Sequence, residues 1–265
     1  MSDAKIIIAA HKKYRMPSFS CYVPVQVGAE GKADLGYERD DKGENISSKN
    51  PSFCELTGLY WAWKNLSADY IGLVHYRRYF SLNKRTSDPF DNVLNDEEVK
   101  SLTDRYKVIV PKKRKYYIET LESHYAHTHF IDQLDATRKI IKQNYPDYLE
   151  DYDHVVRQRW GYMFNMMIMR RDLLDAYCSW LFDILFTLEK KYKKPDLSAF
   201  QRRFYGRVSE IIFNVWLAHQ LRTGVLRKSD IREVSCIYME KIDWWRKGIS
   251  FLQAKFFHKK YKGSF

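Results

Sequence analysis

Asp69-Tyr70-Ile71-Gly72-Leu73-Val74-His75-Tyr76-Arg77-Arg78-Tyr79-Phe80 is an apolar run that breaks abruptly into a charged, aromatic turn. Tyr70 to Val74 carry no charge, the pattern of a strand buried on both faces of a helix-covered parallel sheet. Ligands of open α/β sheets sit beyond the carboxyl ends of such strands. His75, Tyr76, Arg77 and Arg78 are therefore expected at the rim of a binding site.

Working outward, Lys5 to Ala10 is a second apolar, β-branched run, and it breaks into His11-Lys12-Lys13. Ala9, His11 and Lys12 thus form the expected lip of a nucleotide site. Val23 to Val27 and Lys107 to Val110 are further strand candidates, and Gly28 to Asn50 reads as a long loop, of a length that is either functional or disordered. Glu55 to Asn65 has Leu56, Leu59, Tyr60 and Trp63 on one helical stripe. Glu119 to Asp153 reads as helical, with Ile131, Leu134 and Ile141 inward and Pro146 as a break. Tyr162 to Met169 reads as a strand. Asp172 to Lys190 reads as an amphipathic helix, and Ser209 to Leu221 as a helix capped by Ser209. Strands alternating with helices predict an α/β fold with a mostly parallel central sheet and a helix-rich second half. The predicted division is a domain over 1–225 and an extension over 226–265.

With 265 residues and 45% hydrophobic content the chain can bury a full core. Cys21, Cys54, Cys178 and Cys236 stand too far apart for a zinc site or a disulfide scaffold, which fits a reducing compartment. No window approaches a membrane span and the N-terminus lacks a signal pattern, so a cytoplasmic protein is expected. The formal charge of +12 favours anionic partners. Lys241 to Lys262 carries seven Lys or Arg against Asp243, interleaved with Trp244, Trp245, Phe251, Phe256, Phe257 and Tyr261. This stretch reads either as a basic aromatic helix lying on an anionic membrane or as a packed helix with a solvated basic face.

The chemistry centres on the break after Val74. Many nucleotide-sugar transferases place two acids here to hold a divalent ion on the donor diphosphate. In this chain the triplet is His75-Tyr76-Arg77. A guanidinium cannot bind a metal, but its fork can neutralise a diphosphate directly. A solvated basic turn is the competing reading. His124, His127 and His129 invite a metal site, yet no acid or cysteine stands at a convincing spacing, so none is expected. Asn165, placed in an apolar strand, needs partners that an acceptor hydroxyl could supply.

Tyr70 to Phe80, together with Asn45-Ile46-Ser47-Ser48-Lys49-Asn50 and Cys54-Glu55-Leu56-Thr57-Gly58-Leu59-Tyr60-Trp61-Ala62-Trp63-Lys64-Asn65, resembles a bacterial family of capsule, exopolysaccharide and O-antigen clusters. That family was long catalogued as a domain of unknown function. Tyr162 to Met169 and Ser209 to Trp216 resemble its later blocks, and the match spans most of residues 5–220. The resemblance implies a GT-A-like nucleotide-binding fold and inverting transfer of galactose, as galactofuranose, from a uridine diphosphate donor to a lipid-linked glycan. It implies work at the inner face of the cytoplasmic membrane.

On that reading Ala9, His11, Lys12, Asn45, Ser47, Asn50, His75, Tyr76, Arg77 and Arg78 face the donor, and Asn165 and His127 face the acceptor. Inverting transfer needs one carboxylate to take the acceptor proton. Glu210 is the first choice, against a purely helix-dipole role, with Asp41 and its neighbour Asp40 in reserve. No cofactor and no divalent metal are expected. The competing functions are nucleic-acid binding, which the basic charge suggests but no recognition motif supports, and a non-catalytic scaffold.

Overall fold

The computed structural model describes residues 3–82, 86–194 and 196–240. Its strands are β1 (Ala4–Ala10), β2 (Tyr22–Gln26), β3 (Glu38–Arg39), β4 (Tyr70–His75), β5 (Arg78–Ser81), β6 (Val108–Pro111), β7 (Arg114–Lys115), β8 (Trp160–Gly161), β9 (Met167–Arg170) and β10 (Ile231–Tyr238). Its helices are α1 (Asn50–Phe53), α2 (Leu56–Asn65), α3 (Asp96–Thr103), α4 (Leu121–Thr128), α5 (Asp132–Asn144), α6 (Leu149–Val156), α7 (Arg171–Lys191), α8 (Ala199–Arg202) and α9 (Phe204–Arg222).

β1 and β4 lie side by side in parallel, with Ile7 opposite Leu73 and Ile8 opposite Val74. Alternate residues feed two apolar layers. Ile7, Ala9, Ile71 and Leu73 join α2, α7 and α9 on one face, and Ile6, Ile8 and Val74 join Val99 and Leu102 of α3 on the other. Both runs are therefore apolar throughout because both of their faces are covered.

The main sheet runs β3-β2-β1-β4-β5-β10-β6-β9, and β4 also pairs with β9, which closes a circuit through β4, β5, β10, β6 and β9. The expected mostly parallel sheet is found only in part. The β1–β2, β1–β4, β2–β3 and β6–β10 pairs are parallel. The β4–β5, β4–β9, β5–β10 and β6–β9 pairs are antiparallel. The sheet is mixed because β5 folds straight back from β4 and because β9 runs between β4 and β6 against both. Gly72 permits that close approach, since a Cβ there would lie 2.9 Å from Ile168 Cγ1 and 3.0 Å from the Met167 carbonyl.

The helical reading of 119–153 resolves into α4, α5 and α6, with Pro146 starting the short turn before α6. Leu134 and Ile141 are buried, but Ile131 is exposed. The sheet continues past residue 225, because β10 sits inside it between β5 and β6. Residues 241–265, including the basic aromatic tail, lie outside the described residues. Among the described residues no helix is long and apolar enough to cross a membrane, and all four cysteines are free thiols.

Candidate functional site

β4 ends at His75 and β5 begins at Arg78, so Tyr76-Arg77 is a tight turn at the carboxyl end of β4. Above that turn opens a cavity of about 420 Å³, lined among others by His75, Arg77, Arg78, Arg114, Arg203, Arg207, His124, Glu55 and Glu210. Such a volume is in the range of small-molecule sites.

The loop between β8 and β9 organises the floor. Phe164 and Asn165 both hold left-handed backbone, with φ of 78° and 53°. The Phe164 carbonyl accepts from His75 Nε2 at 2.7 Å, and its ring lies 3.7 Å from the Arg78 guanidinium carbon. Asn165 donates to Glu55 Oε1 at 2.7 Å and to the Gly206 carbonyl at 2.9 Å, and it accepts from Ser209 Oγ at 2.8 Å. The expected strand is thus broken here, because a left-handed pair cannot continue a ladder. The Asn165 amide finds its partners within the protein and needs no acceptor hydroxyl to satisfy it.

Glu210 sits in the second turn of α9, which begins at Phe204, so neither the dipole of a helix start nor a Ser209 cap explains it. The Ser209 hydroxyl instead bonds Asn165 and the Gly206 carbonyl. Burial, and then the neighbouring Glu55 carboxylate, push the Glu210 carboxyl up to about 7, against the pull of Arg78, Arg114 and Arg207. A carboxyl poised near neutrality is suited to exchanging a proton with a reacting hydroxyl.

Of the facing cations, Arg78, Arg203 and Arg207 form no ion pair among the described residues, whereas Arg77 pairs with Glu240. Arg203 Nε donates to Cys54 Sγ at 3.0 Å. Arg207 donates to His129 Nδ1 at 3.1 Å and lies 4.0 Å over the Phe200 ring. Burial draws the Arg207 guanidinium below its ordinary value. Arg78 Nε is buried with no hydrogen-bond partner among the described residues. His11 and Tyr76 are not among the cavity-lining residues; just past the end of β1, burial and then the charges of Lys12, Arg77, Arg203 and Lys32 depress the His11 imidazole, and its ring meets Tyr76 edge-on at 5.1 Å. Positive charge thus converges where both parallel strands end, an arrangement that suits a diphosphate.

Among the residues proposed from sequence, His75, Arg77, Arg78 and Glu210 line the cavity. Arg77 also pairs with Glu240 at 3.0 Å. Ala9 is buried within β1, while Lys12 is exposed and reaches over the Tyr14 ring at 4.8 Å.

The long loop is locked by its own residues. Asp40 is fully buried and accepts from Gly28 N, Ala29 N, Ser47 Oγ and Thr57 Oγ1. Asp41 is held by the Arg39 fork, Asn45 bonds the carbonyls of Asp41 and Gly43, and Asn50 bonds Cys54 and Thr57. Asp40, Asp41, Asn45, Ser47 and Asn50 are not among the cavity-lining residues. His127 also stands off the cavity, its Nδ1 2.6 Å from Glu119 Oε1, while His124 Nδ1 takes the other carboxylate oxygen at 2.8 Å. No group of three or more His, Cys, Asp or Glu among the described residues is arranged to hold a metal ion.

Sequence reasoning missed Glu55, Arg203 and Arg207. Arg203, Arg207 and Glu210 stand at i, i+4 and i+7, one helical stripe, and that spacing was the available signal. Glu55 carried none, because its role depends on a turn more than 100 residues away, the Asn165 contact at a separation of 110.

Residues 5–221 match the profile of a family described as a domain of unknown function (DUF4422). No curated protein matches the chain. Among solved structures, the apo structure of the bifunctional glycosyltransferase WbbM is similar, with a TM-score of 0.83 and 27% identity over 90% of this chain. The chain spans about half the length of that protein, 46%.

Proposed function

The chain belongs to the DUF4422 family, and we propose that it is a glycosyltransferase of GT-A-like architecture that inverts the anomeric centre as it transfers galactose, in its furanose form, from a uridine diphosphate donor. The observation that carries this reading is Glu210, a carboxyl raised to about 7 inside an arginine-lined cavity. The likeness to WbbM supports glycosyl transfer. The choice of galactofuranose, of capsule or O-antigen polysaccharide, and of a lipid-linked acceptor at the inner face of the cytoplasmic membrane rests on the sequence resemblance.

The diphosphate lies against Arg77, Arg203 and His11, with the sugar directed toward Glu210. Glu210 takes the proton of the acceptor hydroxyl as that oxygen bonds the anomeric carbon from the face opposite the diphosphate. The bond from the anomeric carbon to the diphosphate oxygen breaks, its electron pair leaves with UDP, and the guanidinium groups stabilise the charge that develops there. Glu55, fixed by Asn165, keeps Glu210 basic enough to accept that proton. No divalent ion is assigned to this reaction.

A melting-point screen with UDP, UMP and UDP-sugars tests the donor, because ligand at 100 times its dissociation constant adds about 2.7 kcal/mol to the folded state. Hydrolysis of UDP-galactofuranose in preference to UDP-galactopyranose then tests the sugar. A folded protein whose melting point ignores every uridine nucleotide refutes the proposal.

A further inference from the structure

Beside the mouth of the cavity stands a small two-stranded ribbon, separate from the main sheet, in which β7 pairs with β8 through Arg114–Gly161 and Lys115–Trp160. β7 lies within Lys112-Lys113-Arg114-Lys115, four consecutive cations. Lys113 turns inward, 3.4 Å from Glu233 and 4.0 Å over the Trp160 ring, whereas Lys112, Arg114 and Lys115 are exposed, as are Arg157 and Arg159 at the entry to β8.

The chain leaves this ribbon through Tyr116-Tyr117-Ile118. There Tyr117 has φ of 48° and the Ile118 N–H donates back to the Tyr116 carbonyl. The turn is tied down from β8, since Tyr116 N donates to the Arg159 carbonyl at 2.8 Å and Arg159 Nη1 to the Tyr117 carbonyl at 3.1 Å. The result is an apolar tip held out in water, with Tyr117 76% and Ile118 64% exposed, the two most exposed large hydrophobic residues among those described.

A left-handed tyrosine costs free energy, and the residue stands 76% exposed rather than packed in the core. We propose that this ribbon docks on an anionic lipid surface, with Tyr117 and Ile118 entering the headgroup boundary and the surrounding cations meeting lipid phosphates. Such a pairing of an apolar tip with flanking cations is the interfacial mode of membrane binding. An aliphatic isoleucine at the tip favours lipid over nucleic acid, where a stacking ring is the useful group. Arg114 and Tyr116 line both the ribbon and the cavity, so docking would bring the cavity mouth to the bilayer.

The test uses the full chain, with its C-terminal tail, and vesicles of phosphatidylglycerol or phosphatidylcholine, and it reads no transfer, so it stands independently of the glycosyltransferase reading. Tyr117→Asn with Ile118→Ser keeps a residue type that tolerates the left-handed turn and, both side chains being exposed, should leave the melting point unchanged. Partitioning onto phosphatidylglycerol should fall about tenfold or more, and Lys112→Glu with Lys115→Glu should lower it as well. Unchanged partitioning in the first variant overturns the proposal and leaves the tail as the membrane contact. Lost retention on homopolymeric RNA with unchanged vesicle binding overturns it in favour of nucleic acid.

Discussion

Replacing Glu210 by Gln keeps the side-chain shape and removes both the base and the charge, and the two losses pull in opposite directions. The Glu210 carboxyl is raised from 4.5 to about 7, so the folded protein holds this proton more tightly than the unfolded chain does. The stabilisation this gives is fully present below about 4.5 and is lost as pH rises through about 7. At about 1.4 kcal/mol per unit, keeping the carboxylate charged at pH 8 costs the fold on the order of 3 kcal/mol. With about 2 cal/mol/K of unfolding entropy per residue, that is roughly 5 °C for a chain of 265 residues.

Glu210→Gln should therefore melt higher than the parent protein at pH 8, by up to about 5 °C, and at nearly the same temperature near pH 4, below the ordinary value of 4.5, where both side chains are mostly neutral in the folded and the unfolded chain. Turnover should fall by ~10²–10⁴ with donor affinity nearly unchanged. In the parent, kcat/KM should rise with pH and level off above about 7. The kcat profile should be displaced to higher pH, because a bound diphosphate adds negative charge beside Glu210. Scanning calorimetry at the two pH values, paired with a transfer assay, reads all of this. A variant with parental turnover and a lower melting point at pH 8 would refute both the electrostatics and the catalytic assignment.

Turnover should survive EDTA, because no carboxylate stands in the His75-Tyr76-Arg77 turn. Loss of activity restored by manganese or magnesium would overturn that reading. Arg77→Lys keeps a charge but not the fork, so donor KM should rise and kcat fall together, and a change in neither would remove Arg77 from the donor site. Gly72→Ala should destabilise the protein by ~1–3 kcal/mol in chemical denaturation, since its Cβ would press on Ile168 and on the Met167 carbonyl. An unchanged midpoint would show that β9 shifts freely.

The two parallel strands were legible because burial on both faces leaves a run such as Ile6-Ile7-Ile8 no polar position, a signature read without tertiary knowledge. The break at His75 also pointed to the end of β4, where the cavity opens, whereas His11 at the end of β1 does not line it. The turn at Phe164-Asn165 was not legible. Tyr162 to Met169 is apolar throughout, and nothing local separates a buried strand from a buried left-handed turn whose amide is satisfied by Glu55 and Gly206. The start of α9 was misplaced for a related reason. Ser209 is a good cap by type, but the helix begins earlier, and its buried hydroxyl satisfies Asn165 instead. β10 escaped because Ile231 to Tyr238 is half-exposed and carries Arg232 and Glu233, so its place between β5 and β6 is decided by pairing rather than by pattern.

That one illegible turn explains why the site is coherent. The Phe164 carbonyl fixes His75 on β4, the Phe164 ring supports Arg78 on β5, and the Asn165 amide ties Glu55 at the start of α2 to Gly206 of α9, one turn before Glu210. Left-handed backbone at a non-glycine residue costs of order 1–3 kcal/mol and persists only where its surroundings over-determine it. Here four separate elements do so. The strain therefore sets the separation of the two acids on which the proton affinity of Glu210 depends, because Glu55 cannot relax away from Glu210 without releasing Asn165 and with it the contacts to α9. In this chain the geometry that raises the Glu210 carboxyl is thus a property of the packed sheet and helices, and not of Glu210's own neighbours in sequence.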